Sequence, residues 1–315
     1  MPEIWEVSAV VALRDLQWVF APARRLPEPA INLAGNAESR LGDAALLLGG
    51  RFFIFEIKSQ ASKFNSEWKK KKRADGVVGP KHAYSSVMAM AKNLSEDYQD
   101  ADAWSEVIAS LRCHHFVYWH VGLPLGMHMK LVLQPYLAAV LKGSSSQAGL
   151  SGLSVKLQQD APLAGRYDNG VFRRLSAATV SCVYEGCLGI ACRNESKTYD
   201  WYRLGLEMKE FQEYVGALMK SAPRSEELLN AVVISTEGWQ RPLRTTKDLA
   251  QLLQDLSVAV SRPQVSHRAQ AGNDEIFDVG DVKKFFGDVV GDEQLKINEV
   301  SSSPVPGVVP GGKPG

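Results

Sequence analysis

Cysteine is scarce in this chain. Four cysteines in 315 residues are too few for the disulfide framework of a small secreted domain. An excess of one charge is also missing. Lys and Arg total 36 and Asp and Glu total 35, a formal net charge of +1, so any basic surface must be local. No apolar run approaches the roughly 20 residues of a membrane-spanning helix. The opening segment MPEIWEVSAVVALRDLQW has no basic stretch ahead of an apolar core, so no secretory signal is expected. A soluble cytoplasmic protein without membrane contact follows as the expectation. Phosphate-binding Gly-x-x-x-x-Gly-Lys-Ser/Thr, the Gly-x-Ser-x-Gly elbow and His-Glu-x-x-His are all absent. If ATP is needed, a protein partner with ATPase activity has to supply it. There is no internal repeat.

What remains is an ordinary globular composition, 45% hydrophobic and 23% charged, with length for one large domain or two. Residues 3–20 suit a helix or a strand. Pro27, Pro29 and Gly42 bracket residues 29–41 as a short helix. HAYSSVMAMAKNLSEDYQDADAWSEVIASL has helical spacing with a break near Asp100, CHHFVYWHVG reads as a strand, and HMKLVLQPYLAAVLKG reads as helical with a kink or boundary at Pro135. Residues 143–152, GSSSQAGLSG, are expected as a linker. Beyond them, AATVSCVYEGCLGIACRN suggests two strands around Gly186 and YDWYRLGLEMKEFQEYVGALMKS an amphipathic helix. NAVVISTEG suggests a buried strand, and TTKDLAQLLQDLSVAV a Thr-capped helix. Residues 301–315, SSSPVPGVVPGGKPG, are expected to be disordered.

The informative stretch is Gly42–Gln60, GDAALLLGGRFFIFEIKSQ. If Gly49-Gly50 is a two-residue hairpin turn, Leu48 faces Arg51 and Asp43 lies opposite Glu56. A side-chain period of two then puts Lys58 on the Glu56 face. Both faces are otherwise apolar, which implies a central sheet covered on both sides with a charged cluster at its rim. An exposed strand with an ordinary Glu–Lys pair is the plainer alternative, and the apolar content of both faces counts against it. Opposed acids destabilise a sheet unless compensated, and a divalent cation would compensate them. Removing either crowded acid is accordingly expected to leave the fold intact at little cost. Glu38, near the end of the preceding helix, could reach the same cluster from above.

This segment resembles the PD-(D/E)xK, or restriction-endonuclease-like, nuclease superfamily. There a helical Glu precedes an acid on one strand and Glu-x-Lys on the next. The counterparts are Glu38, Asp43 and Glu56-Ile57-Lys58. The resemblance implies Mg²⁺ (or Mn²⁺) on Asp43 and Glu56, Glu38 as an auxiliary acid, and Lys58 as the catalytic amine. It implies an αβββαβ core and hence an α/β fold, a central mixed sheet flanked by helices. The expected domains are a nuclease domain over 1–142, the linker, an α+β domain over 153–300 and the tail. Leu41-Gly42 stands where the family has a Pro before the acid.

The expected activity is metal-dependent hydrolysis of phosphodiester bonds, in DNA by preference. A place in a bacterial defence or restriction system rests on fold analogy alone. The alternative is an inactive nuclease-fold subunit for nucleic-acid binding or complex assembly. A small-molecule enzyme built on the C-terminal half has no motif to support it. The run Lys69, Lys70, Lys71, Lys72 and Arg73 either contacts phosphates beside the scissile bond or is a solvated charge run. Lys81, His82 and Tyr84 open the next helix, as cleft residues or as a surface helix start. His114, His115 and His120, with Cys113, Cys182, Cys187 and Cys192, read as buried structural residues, because the cysteine spacing of five is not that of a structural zinc site.

Overall fold

The computed structural model describes residues 6–21, 30–34, 42–48, 51–72, 78–121, 129–166, 172–219, 228–234, 240–245 and 251. Glu38, Arg73, the expected helix after Thr245 and the expected disordered tail lie outside the described residues. The fold is mixed α/β. Its centre is an eight-stranded mixed sheet in the order β10-β7-β6-β3-β2-β1-β13-β14. These strands are β1 (Ala30–Ala34), β2 (Ala44–Leu48), β3 (Arg51–Lys58), β6 (His114–Val121), β7 (Met129–Pro135), β10 (Ala178–Thr179), β13 (Leu228–Ile234) and β14 (Gln240–Thr245). A two-stranded ribbon pairs β4 (Lys71–Lys72) with β5 (Val78–Gly79). A four-stranded sheet, β12-β11-β8-β9, is built from β8 (Leu163–Arg166), β9 (Phe172–Arg174), β11 (Leu188–Arg193) and β12 (Tyr199–Arg203).

The β2–β3 pairing has the register of a two-residue connection, with Leu48 opposite Arg51 and Ala44 opposite Phe55. All other pairings of the large sheet are antiparallel, but β3 runs parallel to β6, with Ile54 opposite His114 and Glu56 opposite Phe116. A parallel neighbour requires a crossover. Two helices, α2 (His82–Glu96) and α3 (Ala101–Cys113), occupy it. They part at the expected place, where the Asp100 carboxylate caps α3 by accepting from Asp102 N at 2.9 Å and Ala103 N at 3.3 Å.

Both faces of β3 are buried, from Phe52 to Lys58. On one face Phe52 stacks on Phe211 of α7 (Met208–Met219), and His114 stacks on Tyr136 of α4 (Tyr136–Ala148). Helix α1 (Glu6–Phe20) packs on β3 and β6 through buried Ala9 and Leu13. No helix among the described residues is long and apolar enough to cross a membrane.

Five expectations change. Residues 181–184, expected within a strand, form a single helical turn between β10 and β11. Residues 30–34 are a strand and not a helix start. A five-residue apolar segment fits either state, and ladders to both β2 and β13 settle it. Pro135 ends strand β7, so helix α4 starts only at Tyr136. Residues 199–203 form β12, ahead of the amphipathic helix that begins at Met208. The expected linker lies in α4 and in α5 (Ser151–Asp160). The reason for the last is packing. A Cβ on Gly143 would sit 2.5 Å from the Trp68 ring, and Ser144 accepts from Tyr84 Oη at 3.0 Å. Strands from beyond residue 152 also complete the large sheet on both of its sides.

The halves are further joined at Gly205. Its N donates to Arg112 O at 2.7 Å, and its carbonyl accepts from Arg112 Nη2 at 3.2 Å. Arg112 also makes a two-pronged pair with Glu210 of α7, at 2.7 and 3.0 Å. Gly205 has φ +75°, and a Cβ there would lie 2.6 Å from Arg51 Cβ. Gly205→Ala should therefore lower unfolding stability by more than about 1 kcal/mol. Gly152→Ala, in helix α5 with open space around it, should raise stability by about 0.5–1 kcal/mol. Urea midpoints of the two variants check the contrast.

Candidate functional site

The charged end of β3 is a buried ion cluster. Glu56 is fully buried and Lys58 is 6% exposed. Period two places both on the face that also carries Phe116 and Tyr118 of β6. Below them is an aromatic floor. Phe64, on the 3-10 turn Ala61–Ser66, stacks on Phe116 at 3.9 Å, and Tyr136 stacks on both His114 and Phe116 at 4.2 and 4.7 Å.

Two further residues join the cluster that the strand pattern did not reveal. Glu67, just after the 3-10 turn, is fully buried. Lys81 is the residue before α2. The Lys58 ammonium pairs with Glu56 Oε1 and lies 3.0 Å from Glu67 Oε1. The Lys81 ammonium lies 2.5 Å from Glu56 Oε1 and 3.5 Å from Glu67 Oε1. Tyr136 donates to Glu67 Oε2 at 3.1 Å, and Lys81 N donates to Glu67 O at 3.1 Å. Lys81 thus belongs to the buried ion cluster. The only sequence signal for Glu67 was an acid separated from a basic run by a single residue, Trp68.

Asp43 stands at the mouth. Its N donates to Phe55 O at 2.8 Å, and its Oδ2 accepts from Ile57 N at 2.5 Å, so its carboxylate takes the β3 N–H just beyond the end of the β2 ladder. Gly42 makes this possible. Its φ is +110°, and a Cβ would come within 2.9 Å of Phe55 O. Proline, locked near φ −65°, has no access to that conformation. Glycine at position 42 is therefore a conformational requirement.

Burial opposes the charged form of Glu56, but Lys58 and Lys81 overcome it and hold the carboxyl down at about 2. Burial likewise opposes the charge on both lysines, and Glu56 and Glu67 raise them above the ordinary ammonium value. Asp43 behaves oppositely. Burial, then the charge of Glu56, pushes it well above the usual carboxylate range. Glu67 is raised for the same two reasons. Glu56 Oε2 is buried without a hydrogen-bond partner.

An orphaned carboxylate oxygen beside an acid reluctant to ionise is what one hard divalent cation would satisfy. The donor set therefore fits Mg²⁺ or Mn²⁺ on Asp43 and Glu56, completed by water or phosphate oxygens. Asp43, Glu56 and Glu67 do not close into a cage. Among the described residues, three metal-ligating groups lie within 4.8 Å of one another only at Cys182, Glu185 and Cys187. The histidines form no site with them. Burial lowers His114 to about 3 and His115 to about 4, and His114 Nδ1 hydrogen-bonds Tyr214 Oη at 3.1 Å. No family model matches the chain, and no curated protein or solved structure matches it.

Of the basic run, Lys69, Lys70 and Lys72 are exposed, and only the backbone of Lys71 is described. Lys71 and Lys72 pair with Gly79 and Val78, so the ribbon starts beside Glu67 and returns just ahead of Lys81.

The expectation that Glu56 is a crowded, dispensable acid is reversed by its two lysine partners. Removing one member of a buried ion pair is destabilising by about 3–5 kcal/mol, and Glu56→Gln should lose that much at pH 7. Because the folded carboxyl titrates below its ordinary 4.5, its stabilisation is full above that pH and fades as pH falls toward about 2. The variant's urea midpoint should accordingly depend less on pH over that window than the parent's. Equal slopes for the two proteins would show that Glu56 is not held ionised.

Proposed function

We propose that this chain is a metal-dependent phosphodiesterase acting on nucleic acid, DNA by preference. The observation that carries the proposal is the meeting of Asp43, Glu56 and Lys58 at one strand end, with Glu56 Oε2 buried and unpartnered. The succession α1, β1, β2, β3, crossover helices, β6 agrees with the αβββαβ core that the PD-(D/E)xK resemblance implies. Asp43 and Glu56 would hold Mg²⁺, which when bound supplies Lewis-acid polarisation of the phosphate and a more acidic water.

The chain's own residues do the rest. Lys58 stays protonated and places positive charge where the transition state gains negative charge. Lys81 shares the neutralisation of Glu56, and Glu67, anchored by Tyr136, fixes both ammoniums in position. The exposed Lys69, Lys70 and Lys72 offer phosphate contacts next to the site.

One observation favours a second reading, a nuclease-fold subunit that binds nucleic acid or assembles a complex without cutting. Lys58 and Lys81 already meet Glu56 Oε1, so protein cations alone compensate that carboxylate.

Incubation of the purified chain with plasmid and single-stranded DNA in Mg²⁺ or Mn²⁺ separates the two. Cleavage is expected, with a loss of about 10²-fold or more in Asp43→Asn. The Asp43→Asn side chain keeps an acceptor oxygen for the Ile57 N–H, so this variant should retain its fold. Metal-free binding with no cleavage under any of these conditions would establish the second reading. For the basic run, changing Lys69, Lys70, Lys71 and Lys72 to Ala should weaken DNA binding without altering sequence preference. It should flatten the salt slope of log K by about one to two units, out of roughly 3.6 if all four touched phosphate. Titrations at several salt concentrations measure it.

A further inference from the structure

We propose that Cys182, Glu185 and Cys187 form a binding site for a thiolate-seeking divalent metal of the zinc class, with one coordination position left open. The site is separate from the carboxylate rim and does not rest on the nuclease reading. Two sulfurs and one carboxylate oxygen lie within 4.8 Å of one another. Tetrahedral zinc, with Zn–S near 2.3 Å and Zn–O near 2.0 Å, places a sulfur and an oxygen about 3.5 Å apart and two sulfurs about 3.8 Å apart. Cys187 Sγ and Glu185 Oε2 are already 3.6 Å apart.

The chain between these residues is held by its own backbone. Val183 N bonds Val180 O at 3.0 Å and Gly186 N bonds Val183 O at 3.2 Å, around the single helical turn α6 (Ser181–Tyr184). The two ends are anchored in different sheets. Thr179 pairs with Val132 of β7 in the large sheet, and Leu188 pairs with Gly165 of β8 in the small one. Tyr184, inside the turn, stacks on Phe20 of α1 at 4.4 Å. A rigid frame of this kind presents the ligands with little ordering left to do.

Thr179 Oγ1 lies 3.0 Å from Cys182 Sγ, within reach to donate to it. The two thiols titrate as a pair. A hydrogen bond from Cys187, opposed by burial, brings Cys182 down to about 7, while that same contact, burial and the Glu185 charge push Cys187 well up, so metal binding has to displace a proton from Cys187. Sulfur donors select zinc-like ions over Mg²⁺, whereas the Asp43–Glu56 rim offers only oxygen. Three protein ligands and a partly exposed setting leave the fourth position to water or a small ligand, as in open zinc sites.

The test uses the full chain, reduced and stripped with chelator, titrated with Co²⁺ as the probe. The same titration on Asp43→Asn removes binding at the rim from the count. One equivalent should develop thiolate-to-cobalt charge-transfer absorption in both proteins, and Zn²⁺ should bleach it. Cys182→Ser and Cys187→Ser should each abolish the band. Glu185→Gln should keep the band but weaken binding at least about tenfold, since even groups outside the ligand set alter affinity by 10–100-fold. Absence of the band in the reduced parent overturns the proposal, as does a band that survives either serine variant. So does a Cys182–Cys187 disulfide, found by mass spectrometry, whose reduction fails to restore Co²⁺ uptake.

Discussion

Glu56 has no contact with water, and it keeps its charge only because two ammonium groups share its Oε1. Taking a carboxylate out of water is expensive, and only close, well-oriented opposite charges offset it. That constraint reaches far into the chain. Lys58 has to point along the same face of β3, the chain after the 3-10 turn has to bring Glu67 in beside it, and α2 has to begin where Lys81 N can bond Glu67 O. Tyr136, at the first position of α4, then has to lie where its hydroxyl meets Glu67. Segments well separated in sequence are held to one point by one charge-balance problem.

The floor under the cluster makes the arrangement rigid. Phe64, Phe116, Tyr136 and His114 stack on one another, so the turn, β6 and α4 cannot shift independently. A packed aromatic layer also lowers the local dielectric and strengthens every charge interaction above it. The same burial keeps His114 neutral, which makes it a packing and hydrogen-bonding group.

Two donor sets of different character sit on this fold. The rim beside β3 offers oxygen donors and paired lysines, suited to a hard cation and to phosphate. The turn between β10 and β11 offers two sulfurs and one carboxylate, suited to a softer ion. The first depends on the buried charge cluster and the second on a short backbone turn, so each can change without the other.

The sequence by itself determined the local features. The two-residue spacing between apolar runs set the β2–β3 register, period two set the shared face of Glu56 and Lys58, and Asp100 set the break between α2 and α3, because side-chain periodicity and capping act over a few residues. Tertiary structure decided what long-range partners decide. Residues 30–34 became a strand because β2 and β13 lie on either side, the stretch 143–152 became helical because Trp68 packs on Gly143 and Tyr84 reaches Ser144, and Cys182 met Cys187 through a turn that spacing alone did not suggest. Glu67 and Lys81 carry no periodic signature. They entered the site because a buried carboxylate needs cations, those cations need a second acid, and only the folded chain brings all four within bonding distance.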